Sequence, residues 1–235
     1  MDKKARSITI TQFDYIIRNV NDEELDIQGH PHHHAEFDTE GRPLTEIRYN
    51  GYGEFEEKIE YGYDSQGNLI RESYYPEETE LAEEKTFELN DARQVIRALQ
   101  HYQDGSVDTI DFQYNASGQL IKKTTTNDEG EIEQVETFEW EDDRMVSMKV
   151  VDGEGEPVGG QYEHAVRQNN TRVEYNEKDQ VVTEEELDEN GEVIMKIHRT
   201  YNEDGKADEV EVFIDGRGNA ISRHYFLKYE YTYFD

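Results

Sequence analysis

The chain contains no cysteine, only four prolines and one tryptophan among its 235 residues. The absence of cysteine excludes disulfides, thiolate nucleophiles and cysteine-ligated zinc, and it leaves the redox compartment open. Long apolar runs are also missing, so the sequence predicts neither a signal peptide nor a membrane-spanning helix. We therefore expect a cytoplasmic protein by default, or a secreted protein that has been processed or trimmed.

Basic residues are scarce. The chain has 24 Lys and Arg against 56 Asp and Glu, which gives a formal net charge of -32 at pH 7. Such a field repels phosphate backbones and anionic membranes, so we expect no nucleic-acid binding and no membrane insertion. The same field attracts basic proteins or divalent cations, or it keeps a strand-rich protein in solution. A protein partner is expected, and a basic one fits the charge.

Apolar residues make up only 34% of the sequence, and the mean hydropathy is -1.04. This composition favours a thin structure over one with a thick packed core. Disorder is not expected, because the 16 Tyr and nine Phe are far too many aromatic residues for a disordered acidic chain. Tyrosine has an apolar ring and a polar tip, which suits a sheet whose two faces are both partly covered.

One seven-residue pattern recurs along the chain. It consists of an apolar residue or Thr, then Asp or Asn, two variable residues, Gly, one variable residue and a second apolar residue. The clearest copies are YDSQGNL at Tyr63–Leu69 and YNASGQL at Tyr114–Leu120. Variants begin at positions 37, 89, 126, 175, 187, 201 and 214. The intervals are close to 12 residues or twice that, and looser turn sequences fill most of the gaps.

The pattern predicts hairpin turns. The Asp or Asn side chain accepts a hydrogen bond from the backbone two residues on, and Gly takes the positive φ that closes the turn. Arg93 and Asp179 stand where Gly is expected, and they predict strained or altered turns. The predicted turn residues are Asp38, Gly41, Asp64, Gly67, Asn115, Gly118, Gly130, Gly191, Gly205 and Gly218.

Between the turns, apolar and polar residues alternate as in half-buried strands; Ile110, Phe112 and Tyr114 share one face. We predict an all-β protein with about fourteen or more short strands, arranged as an antiparallel meander of repeated β-hairpins. The sheet is expected to be extended, curved or twisted, and either largely single-layered or folded into a thin sandwich. Residues 1–36 form a leader segment or the first strands, and residues 37–235 form the repeat array. A strand with Tyr225, Leu227, Tyr229, Tyr231 and Tyr233 on one face is expected to cap the end of the sheet.

The turn signature of Tyr63–Leu69 resembles the YD repeat of the rearrangement-hotspot and teneurin-like proteins. The resemblance extends from about Phe37 to Ala220 and implies a long antiparallel sheet. In that family the sheet spirals into a hollow shell around a toxin or other cargo, but the repeats here are too few to close such a shell. The array is also similar to the MORN-like hairpin-repeat antitoxins of bacteria.

Four of the eight histidines form a cluster at positions 30, 32, 33 and 34. Because alternate positions of a strand share a face, His32, His34 and Glu36 are candidate ligands for a divalent metal such as Zn, Ni or Cu. The alternative is a solvated, histidine-rich edge. No catalytic residue and no cofactor is predicted, because the acidic turns are explained by turn chemistry and no hydrolase or nucleotide motif is present.

These features favour a non-enzymatic binding or scaffold module that uses an acidic, Tyr-rich sheet surface for protein interaction. The alternative is an inhibitor of the immunity or antitoxin type, whose negative surface blocks a basic toxin. An enzyme that uses a metal near His32 and His34 is the third reading.

Overall fold

The computed structural model describes residues 3–17, 25–158, 170–188, 190–216 and 222–234. Every regular element in these ranges is a β-strand, and none of their segments is a helix that could cross a membrane. The sixteen described strands are β1 (Ala5–Ile17), β2 (Leu25–Phe37), β3 (Pro43–Tyr49), β4 (Phe55–Tyr63), β5 (Leu69–Tyr75), β6 (Glu83–Leu89), β7 (Val95–Tyr102), β8 (Val107–Tyr114), β9 (Leu120–Thr126), β10 (Ile132–Glu141), β11 (Arg144–Asp152), β12 (Asn170–Tyr175), β13 (Val181–Leu187), β14 (Val193–Tyr201), β15 (Ala207–Ile214) and β16 (Arg223–Tyr233).

The chain forms two compact units. Unit 1 consists of Met1–Glu57 and Gln168–Asp235, and unit 2 consists of Lys58–Arg167. In unit 1 the strands are hydrogen-bonded in the order β3-β2-β1-β16-β15-β14-β13-β12, and in unit 2 most of β4 is followed by β5 to β11 in sequence order. All described pairs are antiparallel, and within each unit the described strands form a single layer. The predicted all-β hairpin meander is confirmed.

The C-terminal strand does not cap an end of the sheet. In unit 1, β16 lies between β1 and β15: Tyr229 is opposite Ile10, and Leu227 is opposite Val210. The large apolar side chains of β16 gain cover from two neighbours in this position, which an end position does not give. The N-terminal strands β1 and β2 are full members of unit 1, so the compact units do not divide at residue 37.

The same turn is built eleven times in the described residues. In each copy, the backbone N–H of the second residue donates to the carbonyl of the residue four positions later. The carbonyl of that second residue accepts from the N–H of the residue three positions later. At Asp64, for example, Oδ1 accepts from the N–H of Gln66 and of Asn68. Nine copies have Gly at positive φ, while Arg93 and Asp179 adopt φ of 63° and 58° with the same backbone bonds. The glycine-free turns are therefore strained but not altered.

The structure places nine of the ten predicted turn residues in these turns. Gly41, Gly67, Gly118, Gly130, Gly191 and Gly205 all have φ between 74° and 85°. Asp38 and Asn115 accept backbone hydrogen bonds as Asp64 does. Gly218 lies outside the described residues.

The core of the described residues is thin. Only five apolar residues are buried: Ala35, Ala98, Ile110, Val210 and Val212. No large side chain in the described ranges is fully buried, and most strand residues are half-buried. A sheet of this kind depends on its hydrogen-bond ladders, its turns and partial cover by tyrosine rings more than on a packed interior.

Candidate binding cavity

A β-bulge in β2 determines where the histidine cluster points. Ile10 of β1 is opposite His33 and Thr11 is opposite Pro31, so His32 is an extra residue without its own partner position. A bulge of this kind places two successive residues on the same side of the strand. A small cavity lined by Ile10, His32 and His33 together shows that both histidines face the side of Ile10.

The bulge separates the three candidate metal ligands. His34 Nε2 lies 3.8 Å from Glu36 Oε1, and its Nδ1 lies 2.9 Å from the Thr9 hydroxyl. His32 lies on the opposite face and does not join them. Strict alternation predicted that His32, His34 and Glu36 share one face. This prediction does not hold, because the extra residue reverses the alternation. Within the part of the chain that the structure describes, no group of three His, Asp or Glu side chains is arranged to hold a metal ion.

The other histidines of the cluster pair with carboxylates. His30 Nε2 lies 2.8 Å from Asp14 Oδ2, and His33 Nε2 lies 3.9 Å from Glu46 Oε2. Burial lowers the pKa of His33, against the raising influence of Glu46. Burial also lowers the pKa of His32, helped by its histidine neighbours. At neutral pH both His32 and His33 are therefore uncharged.

The turn between β3 and β4 closes over β2. Gly53 in this turn has φ of 78°, and a Cβ added there would lie 2.8 Å from His30 Cβ and 3.0 Å from Pro31 Cδ. Backbone of the turn is thus in direct contact with β2. The sequence from Tyr49 to Phe55 is YNGYGEF, a complete copy of the repeated turn pattern, and this copy positions Tyr49, Tyr52 and Glu56.

Beside this turn lies a cavity of about 690 Å³ in unit 1. An adjoining cavity of about 200 Å³ shares His32, Tyr49 and Glu56 with it. Tyrosines and polar side chains dominate the lining. The larger cavity is lined by Gln12, Asp14, Tyr15, His32, Tyr49, Asn50, Gly51, Tyr52, Glu56, Ser222, Arg223, His224 and Tyr225.

Several polar groups that line the cavity make no hydrogen bond or ion pair with the residues that the structure describes. No hydrogen bond or ion pair to the Glu56 carboxylate or to the hydroxyls of Tyr49, Tyr52 and Tyr225 is found among the described residues. Tyr52 is 88% exposed. Elsewhere tyrosine hydroxyls are used internally: those of Tyr75, Tyr102, Tyr114, Tyr201, Tyr231 and Tyr233 donate to carboxylates or backbone carbonyls. The cavity therefore presents ring faces and hydrogen-bonding groups that are available to a ligand.

Strands β1 and β16 contribute part of the cavity lining. The rings of Tyr15 and His224 are stacked with centroids 4.3 Å apart, and His224 Nε2 lies 2.8 Å from Glu211 Oε1. Arg223 also lines the cavity, is exposed, and has no acidic partner in the described ranges. Within the described part of the chain, the cavity lining thus contains both an unpaired carboxylate, Glu56, and an unpaired guanidinium, Arg223.

This cavity was not predicted from the sequence, whose only candidate ligand site is His32, His34 and Glu36. The sequence feature that marks the site is the complete copy of the turn motif at Tyr49–Phe55, which has a second tyrosine, Tyr52, at its tip. That the turn meets β2 and β16 depends on strand pairing over more than 150 residues of sequence, which no local pattern shows.

No protein-family model and no curated protein sequence matches this chain. A porin-like protein from Bacteroides uniformis has a similar structure, with 12% identity, 97% of this chain and 98% of the other covered, and a TM-score of 0.45. In a structure titled TcdB2-TccC3-Cdc42, a chain matches 83% of this chain over 12% of its own length, with 12% identity and a TM-score of 0.37. At such values the similarity assigns neither a family nor a function.

Proposed function

We propose that this protein is a non-enzymatic module that binds another protein through the tyrosine-rich surface of unit 1. The observation that carries the proposal is the cavity beside the β3–β4 turn, where Glu56 and three tyrosine hydroxyls have no hydrogen-bond or ion-pair partner among the described residues. Exposed tyrosines are favourable contact residues, because they bury a large rigid ring and still offer a hydroxyl. Tyr52 has this position at the rim of the cavity.

The repeated turns suit such a role. Eleven of the described turns are fixed locally by the same pair of backbone bonds, so the strands present their side chains without a thick core behind them. The same repetition supports a relation to YD-type hairpin repeats, which we include in the proposal at the level of the repeat unit. Under this reading the array is a scaffold, and the binding residues lie on particular turns and strands.

The surface can be tested by affinity capture from the native organism with the wild-type chain and with Tyr52→Ser. Tyr175→Ser is the matched control, because Tyr175 is 61% exposed and does not line the cavity. A partner that is captured by the wild type and by Tyr175→Ser, but depleted with Tyr52→Ser, supports the proposal. Equal capture by all three proteins contradicts it.

A second candidate is an inhibitor of the immunity type that covers a basic toxin. A concave surface in unit 2 favours it, because it is lined by five carboxylates: Asp104, Asp108, Asp128, Glu129 and Glu133. Electrostatic attraction of this kind weakens as salt screens it. Affinity for the captured partner should fall steeply between 50 and about 500 mM NaCl if the inhibitor reading is correct. Salt-insensitive binding would argue against it.

A further inference from the structure

We propose that the cavity of unit 1 receives a lysine or arginine side chain of the partner, held between the Glu56 carboxylate and the rings of Tyr49 and Tyr52. This inference rests on the proposed function and specifies the chemistry that the partner must offer. It follows from three observations: the Glu56 carboxylate has no partner among the described residues, tyrosine rings line the cavity, and two lysines of this chain lie over tyrosine rings.

One of these lysines occupies a site of the same composition. Lys58 Nζ lies 3.9 Å from the centroid of the Tyr75 ring and 2.9 Å from Glu60 Oε1. The Tyr75 hydroxyl in turn donates to Glu60 Oε2 at 3.0 Å. An ammonium group is stabilised there by the face of a tyrosine ring and by a carboxylate together.

A second lysine, in unit 1, lies over tyrosine rings and donates to the backbone carbonyl of Lys3 at 2.8 Å. Lys206 Nζ lies 4.5 Å from the ring centroid of Tyr233 and 5.3 Å from that of Tyr231. The Tyr233 hydroxyl donates to Asp204 Oδ2 at 3.1 Å. Tyrosine rings therefore hold a lysine at two places among the described residues, and at Lys58 a carboxylate contacts the ammonium as well.

Among the described residues, no cationic side chain pairs with the Glu56 carboxylate at the cavity. The nearest arginine along β3, Arg48, is already paired with Glu57 at 2.9 Å. His32, which shares the cavity with Glu56, is uncharged at neutral pH because burial lowers its pKa. Glu56 thus remains uncompensated, and the net charge of -32 steers a cationic group towards it.

Arg223, which also lines the cavity, makes the proposal sharply testable. A guanidinium repels a lysine or arginine side chain in the same cavity, so its removal should strengthen binding. A neutral ligand rich in hydroxyl groups would behave in the opposite way, because it would use Arg223 as a hydrogen-bond donor. Weaker binding by Glu56→Gln together with stronger binding by Arg223→Gln therefore identifies a cationic ligand.

The experiment uses the full chain and capped peptides with a central lysine, arginine or ε-acetyl-lysine, followed by NMR shifts of Tyr49 and Tyr52. Lysine and arginine peptides should bind with dissociation constants on the order of 1 mM, and the acetylated peptide should not. Glu56→Gln should weaken lysine binding about fivefold or more, given the usual strength of a cation over an aromatic ring beside a carboxylate. Glu154→Gln, which removes an equal charge from an exposed turn outside the cavity, should leave binding unchanged.

The inference is overturned if the lysine peptide does not bind, if Glu56→Gln binds it as well as the wild type, or if Arg223→Gln weakens it. These results leave the proposed function intact when Tyr52→Ser still loses the captured partner. If capture is also indifferent to Tyr52→Ser, both proposals fail.

Discussion

The phenolic hydroxyl of Tyr201 donates a hydrogen bond to the backbone carbonyl of Val181, 2.6 Å away on the neighbouring strand. Tyr201 is the first residue of one turn motif, and Val181 is the last residue of the preceding motif on the same edge. In the opposite direction, Gln180 donates through Nε2 to the carbonyl of Gly205 at 2.8 Å. Two side chains thus join consecutive turns.

The same link occurs in unit 2. Tyr114 donates to the carbonyl of Val95 at 2.8 Å, and Gln94 donates to the carbonyl of Gly118 at 2.9 Å. In both units the glutamine is oriented by the Asn at the second motif position, as in the contact of 2.9 Å between Asn176 Nδ2 and Gln180 Oε1. The repeats are therefore held in register by side chains as well as by backbone ladders.

Removal of the tyrosine hydroxyl from this link should destabilise the protein. We expect Tyr201→Phe to lower the free energy of unfolding by about 1 kcal/mol, because the carbonyl of Val181 loses its donor. Tyr225→Phe is the matched control, since the Tyr225 hydroxyl has no partner among the described residues, and it should change stability little. Chemical denaturation measures both. Equal effects of the two substitutions would show that the link contributes nothing.

The glycine-free turns should gain stability from glycine. Arg93 and Asp179 both have positive φ, which costs a residue with a Cβ about 1 kcal/mol. Arg93→Gly should therefore raise the free energy of unfolding, and Asp179→Gly should raise it less, because Asp tolerates this conformation better. Thermal and denaturant unfolding test the order. A loss of stability in both variants would show that the positive φ of Arg93 and Asp179 does not destabilise the protein.

Two glycines of the β3–β4 turn should respond differently to alanine. Gly53 combines a positive φ with close contact to His30, whereas Gly51 has neither a positive φ nor an atom within 4 Å of its added Cβ. Gly53→Ala should destabilise the protein by about 1–3 kcal/mol and displace the turn from β2. Gly51→Ala should be nearly neutral. Unfolding curves and the NMR shifts of Tyr52 would reveal both effects, and equal behaviour would contradict the packing of this turn.

The two histidines of the bulge should make stability fall in acid. The folded-state pKa values of His32 and His33 are lowered from the ordinary value of 6.5. As pH falls through about 6.5, the unfolded chain takes up protons before the folded chain does, so the free energy of unfolding decreases. The decrease levels off below the lowered folded-state pKa values.

The double variant His32→Gln, His33→Gln should reduce this dependence. The measurement is the difference in denaturation midpoint between pH 7.5 and pH 5.5, compared for wild type and variant. A wild type whose stability rises on acidification over this range, with the rise lost in the variant, would mean that the histidines are stabilised in their charged form.

The turn motif alone determined the local architecture. The Asp or Asn side chain and the residue at positive φ act within seven residues, so the turns at Asp64 and Asn115 follow from sequence without any distant partner. Alternation of apolar residues then fixed the strand character between the turns. Even Arg93 and Asp179 could be recognised as turn positions.

Only tertiary structure decided which strands become neighbours and which side chains meet. The pairing of β16 with β1 brings Tyr225 beside Asp14 across more than 200 residues, and no local signal specifies that partner. The bulge at His32 depends on the register between β1 and β2, and one extra residue there moved a predicted metal ligand to the other face. The cavity exists because these long-range pairings bring Tyr52, Glu56 and Arg223 to one site, whereas the sequence specifies only the hairpins that carry them.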